Sequence, residues 1–547
     1  MKLSMTSPKR LVLGLGGLLL IAASWAQDRK DVLDAIERER LQQIRDAQLR
    51  VTPQLAGARG GVWLDPVEGE APCFHVQRVH FRGAPPGFAD EHQDLRSYAG
   101  ACLGALSIER LRQNLQARLV DLGYVTSHIT VPPQNLADGV LQLDVELGRV
   151  GRIERRGGAR AIGRNALALR TGNVLNLRDI EQSLENTSRL PSQAAQVQIE
   201  AADVSGESVL VLAATERRSW RMTVGADNAG ASDYGSLQGS AQLVLDGPLG
   251  LSDQLVAYVA GAPKRGAPFQ RSGMLSYSLP FGYHLLSVTG TRSEHNRLIQ
   301  GLSTVFSENG HDASWQLRWQ WTPWRSASGR VAVWLGASDR RSRNHIDDVE
   351  LVLQRRNVRT TDWGFSGWWR REAGEFQLDY EQAVSTRRTL GADVVLDPPP
   401  LARTARAQLG WQRPFGDWRY DARLAWSGVH DAASGADLHV LGSRWTVRGF
   451  DARSLLSGKE QISLKQDLRG PGVELPAGVA WQPYAGLDVG RIAGAFSGGR
   501  TLAGATVGVR VQFGGLFGDL AAAAPLHKPQ GFDAASAVVY ASLNYSY

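Results

Sequence analysis

The sequence predicts a membrane β-barrel of about 16 antiparallel strands, preceded by two α+β units and an N-terminal helix. Three observations carry that reading. From about residue 218 onward the helix signal disappears, and apolar and polar residues alternate with period two. Of the 16 tryptophans, 14 fall in the same stretch, as aromatic girdles at two membrane interfaces require. The chain ends VVYASLNYSY, which puts Val539, Ala541, Leu543, Tyr545 and Tyr547 on one apolar face up to the last residue. A closing barrel strand needs that pattern; the tail of a soluble domain does not.

Taken from the N-terminus, residues 1–26 read as a signal peptide: Lys2, Lys9 and Arg10, the apolar run LVLGLGGLLLIAA, then Ser24-Trp25-Ala26 as a small-x-small cleavage site. The protein is expected to be exported. Residues 27–51 hold no Gly or Pro and mix acidic and basic residues at helical spacings, which predicts a helix of about six turns. Its apolar stripe is thin (Leu33, Ile36, Ile44, Ala47), so it suits a polar surrounding, either bulk solvent or a polar channel. Residues 52–72 are rich in Gly and Pro and read as a linker.

Between residues 73 and 217 one pattern occurs twice: a strand, a short helix, a longer helix and two strands. The units are 73–148 and 149–217, each of a size that folds independently. Ile108, Leu111, Leu115, Leu119 and Leu122 mark the core face of the first long helix. Cys73 and Cys102 are the chain's two cysteines, and an even count in an exported chain suggests one disulfide, the other reading being two buried thiols.

Residues 218–547 form the barrel region. SWQLRWQW sets Trp315, Leu317, Trp319 and Trp321 against Gln316, Arg318 and Gln320, while EFQLDYE and YDARLAWS alternate in the same way. The length allows about 16 strands of roughly 10 residues, enough to enclose a water-filled lumen. A net charge of +7 with singly scattered arginines in an exported chain does not suggest nucleic acid. No P-loop, zinc-spaced Cys/His set or Gly-x-Ser-x-Gly elbow is present, so the sequence suggests no cofactor, no metal and no catalytic residue.

Several stretches then resemble one known family, the two-partner secretion outer-membrane transporters of the TpsB type. ADNAGASDYGSLQGSAQ (226–242, with Asp227, Asn228 and Gly230) and GPLGLSDQL (247–255, with Asp253) look like that family's first barrel hairpin. SYSLPFG (276–282) looks like its next strand-end motif, VRGF (Val447, Arg448, Gly449, Phe450) like its lid-loop motif, and YAGLDVG (484–490) like its inward acidic strand. The resemblance covers essentially the whole mature chain. It implies two periplasmic POTRA domains, a 16-stranded barrel, an N-terminal helix that plugs the resting pore, and a lid loop near 443–460 whose arginine meets an aspartate of the wall. In YAGLDVG the alternation gives Leu487 and Val489 the lipid-facing parity and turns Asp488 into the lumen, so Asp488 is the expected partner of Arg448. The segment 459–467 departs from the family pattern: it has Lys465-Gln466-Asp467 where the family reads Arg-Asn-Glu, so no role is carried over to it.

The implied function is translocation, without nucleotide, of a large β-helical exoprotein bearing an N-terminal secretion domain: an adhesin, a hemolysin or a contact-dependent inhibition toxin. The implied partners are that client, outer-membrane lipid, and the barrel-assembly machinery for the protein's own insertion; a monomer is expected. A barrel-assembly factor and a passive porin are the competing readings.

Overall fold

The computed structural model describes residues 63–547, apart from 87, 89–93, 216, 231–233, 263–267, 302–303, 390–400, 432–436, 453, 477 and 495–499, together with Glu37, Arg40, Leu41 and Ile44. The expected signal peptide (1–26) and most of the 27–51 and 52–72 segments lie outside the described residues.

The first α+β unit folds around the helix Ala105–Asp121, whose Leu111, Leu115 and Leu119 pack on Ile129, Leu141, Leu143 and Val145 of the sheet. In that sheet Val140–Glu146 is central, parallel to Arg78–Arg82 and antiparallel to His128–Thr130. The helix follows Gly104, which has no side chain to cap it. Glu70 caps it from outside, accepting from the Gly104, Leu106 and Ser107 amides at 3.1, 2.6 and 3.0 Å and from the Ser107 hydroxyl at 2.6 Å. Cys73 and Cys102 are joined, tying the start of the domain to the strand Ala101–Leu103.

The second unit repeats the topology, with Glu207–Ala214 central, parallel to Arg149–Gly157 and antiparallel to Gln196–Ala201. The short first helix expected in each unit is only a 3-10 turn among the described residues, Asp94–Ser97 in one and Arg164–Ala166 in the other. The helix Leu177–Ser188 is buried nearly all round. Ile180 faces its own core, while Gln182, Glu185 and Asn186 face the mouth of the barrel.

The barrel is closed and antiparallel, with sixteen long strands running from Trp220–Asp227 to Val538–Ser546. The strands vary more in length than the expected ten or so residues: Val305–Ser326 has 22. Hairpins at the end far from the α+β units continue the ladder beyond the apolar band, and period-two patterning alone does not mark where that band stops. Val259, Leu275, Trp315, Trp319, Leu335 and Val507 are exposed on the outside, whereas Ser272, Ser276, Ser278, Ser287 and Thr289 are buried inside. Apolar out and polar in is the pattern of a barrel solvated by lipid.

Candidate functional site in the barrel lumen

The segment between the strands Trp418–Asp431 and Glu460–Arg469 folds back into the lumen. Its stem is a two-stranded hairpin, His439–Leu441 with Leu456–Gly458, and its tip carries Val447, Arg448, Gly449 and Phe450. Leu441, Val447, Phe450 and Leu456 are buried against Ile492 and Leu502, which point inward from the wall. Burying four apolar side chains stabilises the docked loop by several kcal/mol, at about 1.5–3 kcal/mol for each fully buried one.

Arg448 supplies the polar part of the contact. Its guanidinium donates through Nε to Asp488 Oδ2 at 2.7 Å and through Nη2 to Oδ1 at 2.6 Å, and its backbone N–H donates to Oδ2 at 2.9 Å. This is the bidentate fork, with a third donor added. Nη1 also lies 2.7 Å from Asp467 Oδ1. Lys465, the cross-strand neighbour of Asp488, donates to the Arg444 carbonyl at 3.2 Å. Two cations and two carboxylates therefore meet at the tip. Leu487 and Val489 flank Asp488 on the outer surface.

Glycines make the close approach possible. Gly449 has φ +104°, and a Cβ there would stand 2.6 Å from the Ala524 carbonyl oxygen. On the wall, a Cβ on Gly504 would collide with the Arg448 carbonyl oxygen, and one on Gly486 with the guanidinium. Tyr540 closes the far side: its hydroxyl accepts from the Gly449 amide at 3.1 Å and donates to the Phe450 carbonyl at 2.8 Å. The Phe450 ring meets Phe532 edge-on.

The remaining motif residues do not join this site. Asp227 sits 3.2 Å from Arg40 of the N-terminal helix, and Arg40 also donates to Tyr258 at 3.2 Å and to Gln238. Leu41 packs beside Arg40 on Tyr258, Ala260 and Met274, all of which face the lumen, so this face of the helix lies against the inner wall. Asn228 extends the seam between the first and last strands, donating to the Val539 carbonyl at 2.7 Å and accepting from the Ala541 amide at 2.9 Å. The ladder of that seam has the five pairs from Ser542↔Asp227 to Ser546↔Thr223, extended by reciprocal backbone bonds between Met222 and Tyr547. The Gly230 amide donates to the Ser236 carbonyl at 2.9 Å. Asp253 is fully buried and folds the 247–253 turn by accepting from the Leu249 and Leu251 amides.

Sequence reasoning missed Asp467, Gly486, Gly504 and Tyr540. It also missed the contact between the second α+β unit and the barrel, where Glu185 is buried against both Arg325 and Arg330. Asn186 donates to the Gly282 carbonyl at 2.7 Å, and the Tyr283 hydroxyl donates to Asp179 at 2.5 Å. The turn at 282–283 therefore marks the end of the barrel that meets the α+β units.

Comparison with known proteins agrees with this architecture. Residues 206–511 match the model of the haemolysin secretion/activation proteins ShlB/FhaC/HecB, residues 74–148 that of the ShlB-type POTRA domain, and residues 150–201 that of a POTRA domain. The outer membrane transporter CdiB-2 of Burkholderia pseudomallei (strain 1026b) is 29% identical over 555 residues, covering 92% of this chain and 93% of that protein. The outer membrane transporter CdiB of Escherichia coli O6:K15:H31 (strain 536 / UPEC) is 28% identical over 526 residues, covering 92% of this chain and 86% of that protein. The solved structure of CdiB from Escherichia coli shares the fold, with a TM-score of 0.80 over 100% of both chains at 24% identity. The chain belongs to the ShlB/FhaC/HecB family of haemolysin secretion/activation proteins: it is an outer-membrane transporter of two-partner secretion, with its POTRA domains in the periplasm and a secreted exoprotein as its partner.

Proposed function

We propose that the POTRA domains capture an unfolded exoprotein through its N-terminal secretion domain, and that the barrel passes it outward while the lid rearranges around the Arg448 contact. The single observation that carries this reading is the lid tip docked on Asp488 and Asp467, because a passive channel gains nothing from a four-charge lock in its lumen. The client is a large β-helical exoprotein (an adhesin, a hemolysin or a contact-dependent inhibition toxin) whose folding outside the cell drives transport without nucleotide. The N-terminal helix closes the resting pore, held by Arg40 against Asp227, Tyr258 and Gln238. The transporter acts as a monomer, inserted by the barrel-assembly machinery.

Capture follows from the sheet edges. An extended client segment adds as a strand where backbone donors and acceptors are free. In the first POTRA domain the edge at His128–Thr130 is already occupied, since the Gln116 side chain accepts from the Ile129 amide at 3.0 Å and donates to the Ser127 carbonyl at 2.8 Å. In the second domain the edge strand Gln196–Ala201 is longer and almost wholly exposed, which makes it the better dock. A photo-crosslinking residue at position 199 should trap the exoprotein during secretion, and a lack of adducts there would refute this mode of capture. Arg448→Ala should leave the barrel assembled and cut secretion sharply. Normal secretion by that variant would sink the lid reading.

A further inference from the structure

The outer surface of the barrel carries a cationic patch that lies apart from the lumen site. On the strand Gly329–Ile346, Asp339, Arg341, Arg343 and His345 share the outward parity of Leu335 and Ala337. The neighbouring strands complete the patch through the register. One row reads Gly290, Trp315, Asp339, Arg359; the next row out reads Arg292, Ala313, Arg341, Asn357; the third reads Glu294, His311, Arg343. These rows lie toward the end of the barrel opposite the Tyr283 turn, which is the extracellular end.

We propose that this patch binds the phosphorylated headgroup of an outer-leaflet glycolipid of the lipid A type. Arg292, Arg341, Arg343 and Arg359 are all exposed, and the side chains of Arg341 and Arg359 are each 71% accessible. Arg341 and Arg359 flank one shielded carboxylate, Asp339, at 3.3 and 3.4 Å. Of the other carboxylates in reach, Glu350, near Arg343, is paired with Arg355 at 2.5 Å, and Glu294 stands in the third row 3.9 Å from His311, so the four arginines face two carboxylates of the patch, Asp339 and Glu294. The patch thus holds more cations than anions. Cross-strand spacing of about 4.8 Å and a rise of about 6.8 Å per two residues put Arg292, Arg341 and Arg343 within about 12 Å of one another, inside the footprint of one headgroup. Trp315, at 51% exposure, and Leu317 sit directly below, where the acyl chains of a bound lipid lie. Guanidinium is the side chain suited to bidentate phosphate recognition, and phosphate anchored at the rim of the apolar band is the anion this patch meets in an outer membrane.

The test uses the full-length protein, purified in detergent, stripped of lipid and titrated with bisphosphorylated lipid A or the same lipid dephosphorylated, with bound lipid read by native mass spectrometry. The wild type should prefer the bisphosphorylated lipid by at least about tenfold. The triple variant Arg292→Ser/Arg341→Ser/Arg343→Ser should lose that preference. Arg371→Ser/Arg413→Ser, on the outer surface at the periplasmic end, should keep it. Heat-modifiable gel migration establishes that every variant is a folded barrel. Equal binding of the two lipids by the wild type, a preference that survives in the triple variant, or a preference lost in the periplasmic-end variant would each overturn the proposal.

Discussion

Replacing Asp488 by Asn tests the lid lock with little change of shape. The carboxylate accepts three bonds, two from the guanidinium and one from the Arg448 backbone N–H. An amide keeps one acceptor oxygen, turns the other position into a donor facing a donor, and removes the charge. At roughly 1.5–3 kcal/mol for a hydrogen bond to a charged group, the loss is about 3 kcal/mol, which shifts the docked–undocked equilibrium of the lid on the order of 100-fold. Arg448→Ala should cost more, about 3–5 kcal/mol, because it leaves the nearly inaccessible Asp488 carboxylate without its cation. Asp467→Asn should cost least, about 1 kcal/mol, since it removes one ion contact with a more accessible partner. The assay is the rate at which a membrane-impermeant maleimide labels Val447→Cys, a fully buried position in a chain whose own two cysteines are joined. The labelling rates should rank Arg448→Ala above Asp488→Asn above Asp467→Asn. A change under about threefold for Asp488→Asn, or a larger effect from Asp467→Asn, would refute the assignment of Asp488 as the main anchor.

Deleting residues 27–51 should raise the resting conductance in planar bilayers while secretion continues; unchanged conductance would mean the helix does not close the pore. The Ser107 hydroxyl, helped by the backbone amides at 104, 106 and 107, holds the Glu70 carboxyl below its usual range. Its stabilisation of the helix start is therefore present above the unfolded-state value and is lost as the pH falls through the folded one. Hydrogen exchange at Leu106 and Ser107 in the full-length protein should show protection that drops at acidic pH, and Glu70→Gln should lack that protection at neutral pH as well. Reduction of the Cys73–Cys102 bond, which spans 29 residues, should destabilise the first POTRA domain by about 3–4 kcal/mol and leave barrel melting unchanged. Glu185→Ala removes the carboxylate that bridges Arg325 and Arg330, so spin-label distances between the second POTRA domain and the barrel should broaden.

The sequence made the lipid-facing surface legible because alternation is a local property: Trp315, Leu317, Trp319 and Trp321 share a face whatever their neighbours are. The inward parity of Asp488 is legible in YAGLDVG for the same reason. Partner identity is not local. Asp467 is a ligand of Arg448 only because the strand Glu460–Arg469 pairs with Val479–Ala493 in one register, and a slip of one residue would turn it outward. The clearance given by Gly486 and Gly504 likewise depends on where the lid lands. Glu185 reads as a solvated helical residue until the barrel mouth covers it. Gln116 looks like an ordinary surface residue on its helix, and only the fold brings it to the free edge of a strand. Strand lengths were misjudged because the ladder continues past the membrane, while hydropathy patterning marks only the part that meets lipid.

The most direct test of the account compares the culture supernatant and outer-membrane proteomes of cells carrying the wild-type gene, no gene, and Arg448→Ala. One large β-helical protein should disappear from the supernatant in both altered strains while other outer-membrane barrels stay constant. A joint fall of many outer-membrane barrels, with no single exoprotein lost, would contradict it and point to an assembly factor instead.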